Sequence, residues 1–143
     1  MTEAAPVGRR PAEVTVRPAR PEDLATCAVV FRTAINHYTR PLGQIDVPED
    51  PGPVVRLWSH TRSTDPDRFV VAAVRGEDDG NQAAGERIVA FGSAVVRDGL
   101  WFLSMLFVLP EFQGAGVGRQ ILARILPGDD ATYRATATDA ASP

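Results

Sequence analysis

One segment limits the fold more than any other. Leu100–Val108 reads LWFLSMLFV, and it is followed by a proline at position 110 and by glycines at 114, 116 and 118. A strand that is apolar on both alternating faces is expected to be covered on both, hence to lie centrally in a sheet with helices above and below. Pro110 cannot donate to a strand ladder and ends it. Val117, Ile121, Leu122 and Ile125 then recur on one side of a helix, which Pro127-Gly128 closes. Strand, tight loop and glycine-opened helix together present main-chain N–H groups to a phosphate. The first turn of a helix has unpaired N–H groups and carries about half a positive charge. With side chains removed at Gly114, Gly116 and Gly118, a pyrophosphate can settle there.

The rest of the chain supplies partners for that segment. Val14–Ala19 alternates at period two, as a short first strand does. From Pro21 the period lengthens: Leu24, Cys27, Phe31, Ile35 and Tyr38 mark one face of a helix, which opens on Glu22 and Asp23 without a good N-cap residue and cannot pass Pro41. Arg40–Pro53 is a loop rich in proline, glycine and acid. Val54–Arg62 is a short second helix with Val54, Leu57, Trp58 and Thr61 turned inward. Arg68–Val74 and Ile88–Val96 are strands flanking a polar hairpin tip over Arg75–Arg87, with Gly92 at a bulge. Thr132–Thr138 is a last strand, and a right-handed crossover would lay it parallel to the central one.

Composition excludes several classes. A chain of 143 residues is one domain's worth. A net charge of −3 gives no bulk attraction for nucleic acid or an anionic membrane. All 15 basic residues are arginine, as a GC-rich gene would encode. The single cysteine, Cys27, lies on the apolar face of the first helix and reads as core, and no His/Cys/Asp spacing makes a metal site. No apolar run reaches the roughly 18–20 residues of a membrane span, and MTEAAPVGRRPAE has no apolar stretch of a secretory signal. The expectation is a cytoplasmic protein with a disordered arm over residues 1–13 and one domain over 14–143.

Three phosphate loops compete for Gln113–Gly118. A Walker loop needs Lys-Ser/Thr after its last glycine, where this chain has Arg119-Gln120. A dinucleotide fingerprint needs glycines at its first, third and sixth positions directly after a strand, and an acidic residue about 20 positions on; neither holds here. QGAGVG matches the Gln/Arg-x-x-Gly-x-Gly/Ala signature, and with LFVLPEFQ before it and the strand and helix order from Val14 the chain resembles the GNAT superfamily of acyl-CoA-dependent N-acyltransferases.

The resemblance implies an α/β fold with a mixed, mostly antiparallel sheet flanked by helices on both faces. It also implies acetyl-CoA as co-substrate and an amine-bearing acceptor attacking the thioester directly. It assigns Leu106, Phe107 and Val108 to pantetheine, with the Leu106 amide near the thioester carbonyl, and the stretch Gln113, Gly114, Ala115, Gly116, Val117, Gly118 and Arg119 to the pyrophosphate. A β-carbon at Gly116 or Gly118 would then crowd the ligand. Arg119's side chain either reaches a phosphate or is simply solvated. Asp139 stands where the family often has an asparagine touching pantetheine. The family's glutamate base has no counterpart in Trp101–Ser104; Ser104 either orders a water or bonds to backbone. Tyr38, His37, Asp46, Glu49 and Asp50 are candidates to meet the acceptor. The chain stops at ATDAASP, where the family continues with a tyrosine-bearing helix and two more strands. The reading therefore expects a piece of a longer protein, or a complementing segment or second copy. A non-catalytic acyl-CoA-binding module, or half of a tandem GNAT protein, is the rival from another class, and a dinucleotide-binding oxidoreductase is the third.

Overall fold

The computed structural model describes residues 13–75 and 85–137. Strand β1 (Thr15–Pro18) leads through a 3₁₀ turn (Pro21–Asp23) into helix α1 (Leu24–Thr39), and α2 (Gly52–Thr64) follows. Strands β2 (Phe69–Arg75), β3 (Glu86–Arg97) and β4 (Leu100–Val108) come next, then α3 (Val117–Ile125) and β5 (Tyr133–Thr136). The sheet order is β1-β2-β3-β4-β5, antiparallel throughout except for the final β4–β5 pair, which is parallel as the crossover rule requires.

Two cores flank this sheet. On the α1–α2 face Phe69 and Phe91 stack, and Trp58 of α2 tilts against Phe91 at 5.1 Å. On the other face α3 buries Val117, Ile121 and Ile125 over Val70, Ala72, Ala90 and Ala94. The alternation of β2 and β3 sends aromatics to one side and small residues to the other, so α3 lies close to its strands. Gly92 belongs to this packing and not to a bulge. It pairs regularly with Val70 and Leu106, and a Cβ there would stand 2.6 Å from Ile121 Cγ2.

Other expectations change in detail. Asp23 compensates for the missing N-cap, since its carboxylate accepts from the Arg20 N–H at 2.7 Å while Arg17 holds its other side. Leu57 is 61% exposed, because the buried stripe of α2 runs through Trp58 with Val54 and Thr61 only partly covered. The largest change concerns β4. Its all-apolar run predicted full burial, yet most of the strand is only half-buried. Among the described residues β5 pairs with Leu100–Leu103 alone, so helices flank the rest of β4 while that strand edge has no partner. Most of the N-terminal arm and of the hairpin tip, and Asp139, lie outside the described residues.

Candidate functional site

The open edge of β4 has a specific phase. Leu103 O accepts from Thr136 Oγ1 at 3.1 Å, which turns that peptide group toward β5. Leu109 N donates to Val89 O at 2.9 Å, facing β3. Counting back in twos from Leu109 turns Phe107 and Met105 toward β3 and leaves Leu106 and Val108 facing away. Leu103 and Leu106 could not share a side in a regular strand. Ser104 is the extra residue: the β3–β4 register steps from Ser93↔Met105 to Ala94↔Leu103, a β-bulge that skips it. The side chains agree, with Leu103, Leu106 and Val108 on the α3 face and Met105 and Phe107 on the α1 face. Leu106 and the Val108 N–H therefore offer main-chain groups at an edge where, among the described residues, β5 has already ended.

Beyond this edge the chain turns through Pro110–Phe112 into the glycine segment. Gln113 is committed locally: its N–H donates to Pro110 O at 3.2 Å and its side-chain amide to Val108 O at 3.0 Å, closing the loop onto the strand end. Gly114 and Gly116 have φ of 78° and 79°, the left-handed region that side chains resist, and among the described residues no atom beyond the flanking ones lies within 4 Å of a Cβ at either. Gly118 is different. A Cβ there would sit 3.7 Å from Val108 Cγ2 and 3.9 Å from Leu106 Cδ2, ordinary contacts, so neither the backbone nor the packing of α3 on β4 demands a glycine at this position. Ala115 and Val117 are buried and Arg119 is exposed. The N–H groups from Gly114 to Arg119 meet no acceptor among the described residues; the first that does is Gln120 N, on Gly116 O at 3.1 Å. A run of unpaired donors thus opens α3 at the positive end of its dipole.

A cleft of about 620 Å³ runs along the strand edge as far as Gln113, walled by the C-terminal half of α1, by Leu103–Val108, and by Gln113, Thr136 and Ala137, while Gly114–Arg119 stand outside its lining. It brings together Ser104, Leu106, Phe107, Val108, Gln113 and Tyr38 from the expected set. The other acceptor candidates stand elsewhere. His37 is exposed in a separate groove beside Pro110. Asp46 pairs with Arg40 at 2.7 Å, which holds its carboxyl below the usual range, and Glu49 pairs with Arg32 at 2.9 Å. Asp50 accepts from its neighbour Gly52 N at 2.9 Å. Arg32 Nε also donates to Val47 O, and Asn36 Oδ1 accepts from Val47 N at 2.8 Å, pinning this acidic loop to α1. The sequence reading missed Thr39 and Gln44 as cleft residues. The signal for Thr39 was faint: it neighbours Tyr38 at the end of an apolar helical stripe.

The profile of the acetyltransferase (GNAT) family matches residues 32–132. The chain belongs to the GNAT family. This sets aside the dinucleotide-binding alternative. Among solved structures, the GNAT fold recurs in the PaiA N-acetyltransferase of Thermoplasma acidophilum in complex with coenzyme A, at TM-score 0.54 and 18% identity over 78% of this chain and 69% of that one. The yncA protein of Salmonella typhimurium, with its cofactor acetyl-CoA, matches at 0.55 and 20% over 80% and 61%. A transcriptional regulator from Bacillus halodurans matches at 0.60 and 16% over 90% and 83%. The chain spans 36% and 34% of two longer matched structures, from Pyrococcus horikoshii and Sphaerobacter thermophilus. A search of curated protein sequences gives no match. Among the described residues no helix is long and apolar enough to cross a membrane.

Proposed function

We propose that this GNAT domain binds acetyl-CoA and moves its acetyl group to an amine by direct attack, without a covalent enzyme intermediate, in the cytoplasm. One observation carries the reading: the bulge at Ser104 turns Leu106 and Val108 toward an open strand edge that leads to the unpaired N–H groups of Gly114–Arg119. Pantetheine amides would pair with Leu106 and Val108 as an added strand does. The pyrophosphate would sit on the amides opening α3, with the exposed Arg119 beside them. Bound acetyl-CoA supplies an activated acetyl thioester. The Leu106 N–H would donate to the carbonyl oxygen as it gains charge, a contribution of about 3 kcal/mol when well placed.

The amine lone pair forms the C–N bond while the C–S bond breaks, its electron pair leaving on sulfur. The proton shed by nitrogen ends on that sulfur, directly or through water. Cys27 takes no part, since it is fully buried and burial pushes its thiol up to about 12. Coenzyme A and acetyl-CoA in the PaiA and yncA structures support the cofactor half.

Calorimetric titration with acetyl-CoA, against NADH and ATP as controls, tests this directly. Saturable binding of acetyl-CoA alone is expected; binding of NADH in its place would overturn the reading. Among the described residues the cleft lining holds no carboxylate, which favours the non-catalytic acyl-CoA-binding module as the second reading. Coenzyme A release in the presence of amines separates the two, because only the enzyme turns acetyl-CoA over.

A further inference from the structure

We propose that the cleft selects a weakly basic amine on an apolar body, met by the hydroxyls of Tyr38 and Thr39, and discriminates against polycations; this rests on the acetyl-transfer reading above. Tyr38 and Thr39 are consecutive in the last turn of α1, and both line the cleft with Leu103–Val108. Among the described residues Tyr38 Oη and Thr39 Oγ1 are buried and meet no hydrogen-bond partner. Helical threonines usually bond back to a carbonyl, as Thr61 and Thr64 do to Leu57 O and His60 O. Thr39 does not. An unpaired buried hydroxyl is destabilising, so two of them on consecutive residues that line one cleft point to a group that arrives from outside. Each can donate and accept, which suits the N–H groups of a primary amine or a carbonyl beside it.

The surroundings fix the charge of that amine. Ala34, Ile35, Leu103 and Met105 give the cleft apolar walls. Among the described residues the lining holds no carboxylate, and the acidic residues of the loop after α1 are engaged elsewhere, Asp46 by Arg40, Glu49 by Arg32 and Asp50 by the Gly52 N–H. A cation entering here would exchange water for apolar walls and neutral hydroxyls, whereas the free base loses little hydration. At pH 7 an α-amine with a pKa near 8 is roughly 200-fold richer in free base than a lysine amine near 10.4. The fitting acceptor is therefore an α-amine or arylamine with an apolar substituent.

The test gives the full chain acetyl-CoA with phenylalaninamide, Nα-acetyl-lysinamide or spermidine. Phenylalaninamide is expected to lead in kcat/KM at pH 7 by about 100-fold, with a pH profile that rises to the amine's own pKa. Tyr38→Phe and Thr39→Val should each raise its KM about tenfold, leave acetyl-CoA affinity unchanged, and keep or raise Tm because an orphan hydroxyl is removed. A merely structural hydroxyl would not combine a higher Tm with a higher KM. Preference for spermidine or the lysine amide, or no acetylation of any amine by a chain that binds acetyl-CoA, overturns this inference and leaves the cofactor reading standing. No acetyl-CoA binding overturns both.

Discussion

Gly116 and Gly118 stand two positions apart in different backbone conformations, so the same substitution has opposite consequences. At Gly116 the backbone is left-handed, and Gly116→Ala should cost about 1–2 kcal/mol. By moving an N–H of the donor run it should also weaken acetyl-CoA at least tenfold, about 1.4 kcal/mol. Gly118 is helical with room for a methyl group, and Gly118→Ala should be neutral or stabilising by up to about 1 kcal/mol. Urea midpoints of the two variants check the contrast; equal losses would mean that the loop geometry is wrong. The glycines were legible in the sequence, and so was their place between strand and helix. The contrast between them was not, because it depends on φ and on what each Cβ would face. Tyr38 shows the same limit. Its position on the apolar stripe of α1 was readable, but the stripe outruns the paired sheet, and that depends on where β5 stops.

Among elements, the contact of α3 with the sheet is set by Gly92. Gly92→Ala would drive a methyl into the fully buried Ile121 and within 3.2 Å of Met105 O. A loss of about 1–3 kcal/mol is expected. Because α3 carries the donor run at its first turn, acetyl-CoA affinity should fall as well. Thermal melts with and without acetyl-CoA check both effects, and a variant as stable as the parent would contradict the packing. The strand β4 shows why pattern reading stops short. Its length and apolar character were plain, and so was its neighbour α3. Ser104 is the one polar residue in that run, but a single polar residue among apolar neighbours sets no period that would mark it as skipped, and full burial was inferred where one edge has no partner among the described residues. The assignment of Leu106 and Val108 to pantetheine came from the family resemblance and is part of the proposal; the bulge shows only that these residues face the edge that β5 leaves.

At the scale of the whole molecule, arginine bridges join segments far apart in sequence. Arg17 on β1 grips Asp23 at 2.7 Å before α1 and Glu86 at 2.9 Å on β3, and Arg68 ties Asp65 to Asp130 ahead of β5. At Asp23 burial works against the charged form, but the Arg17 guanidinium and the Arg20 N–H outweigh it and lower its pKa; Arg17 likewise lowers Glu86, and Arg68 lowers Asp130. A depressed carboxylate stabilises the fold above its unfolded value, about 4, and that stability is lost as pH falls through the lower folded value. The urea midpoint should hold from pH 7 to pH 5 and decline below about 4. Arg17→Gln should lower the plateau and flatten the decline; an unchanged acid limb would remove Arg17 from the account. These long-range pairs were invisible in the sequence, where 15 arginines offer too many partners.

Cys27 gives the same architecture a clock. Its thiol lies wholly inside the layer between α1 and the sheet and is held in the unreactive protonated form. A disulfide reagent can label it only when that layer parts, so the labelling rate should track the opening of the α1 side and rise with urea. Any prompt colour in a thiol-detecting assay of acetyl transfer would then come from released coenzyme, with the protein itself silent.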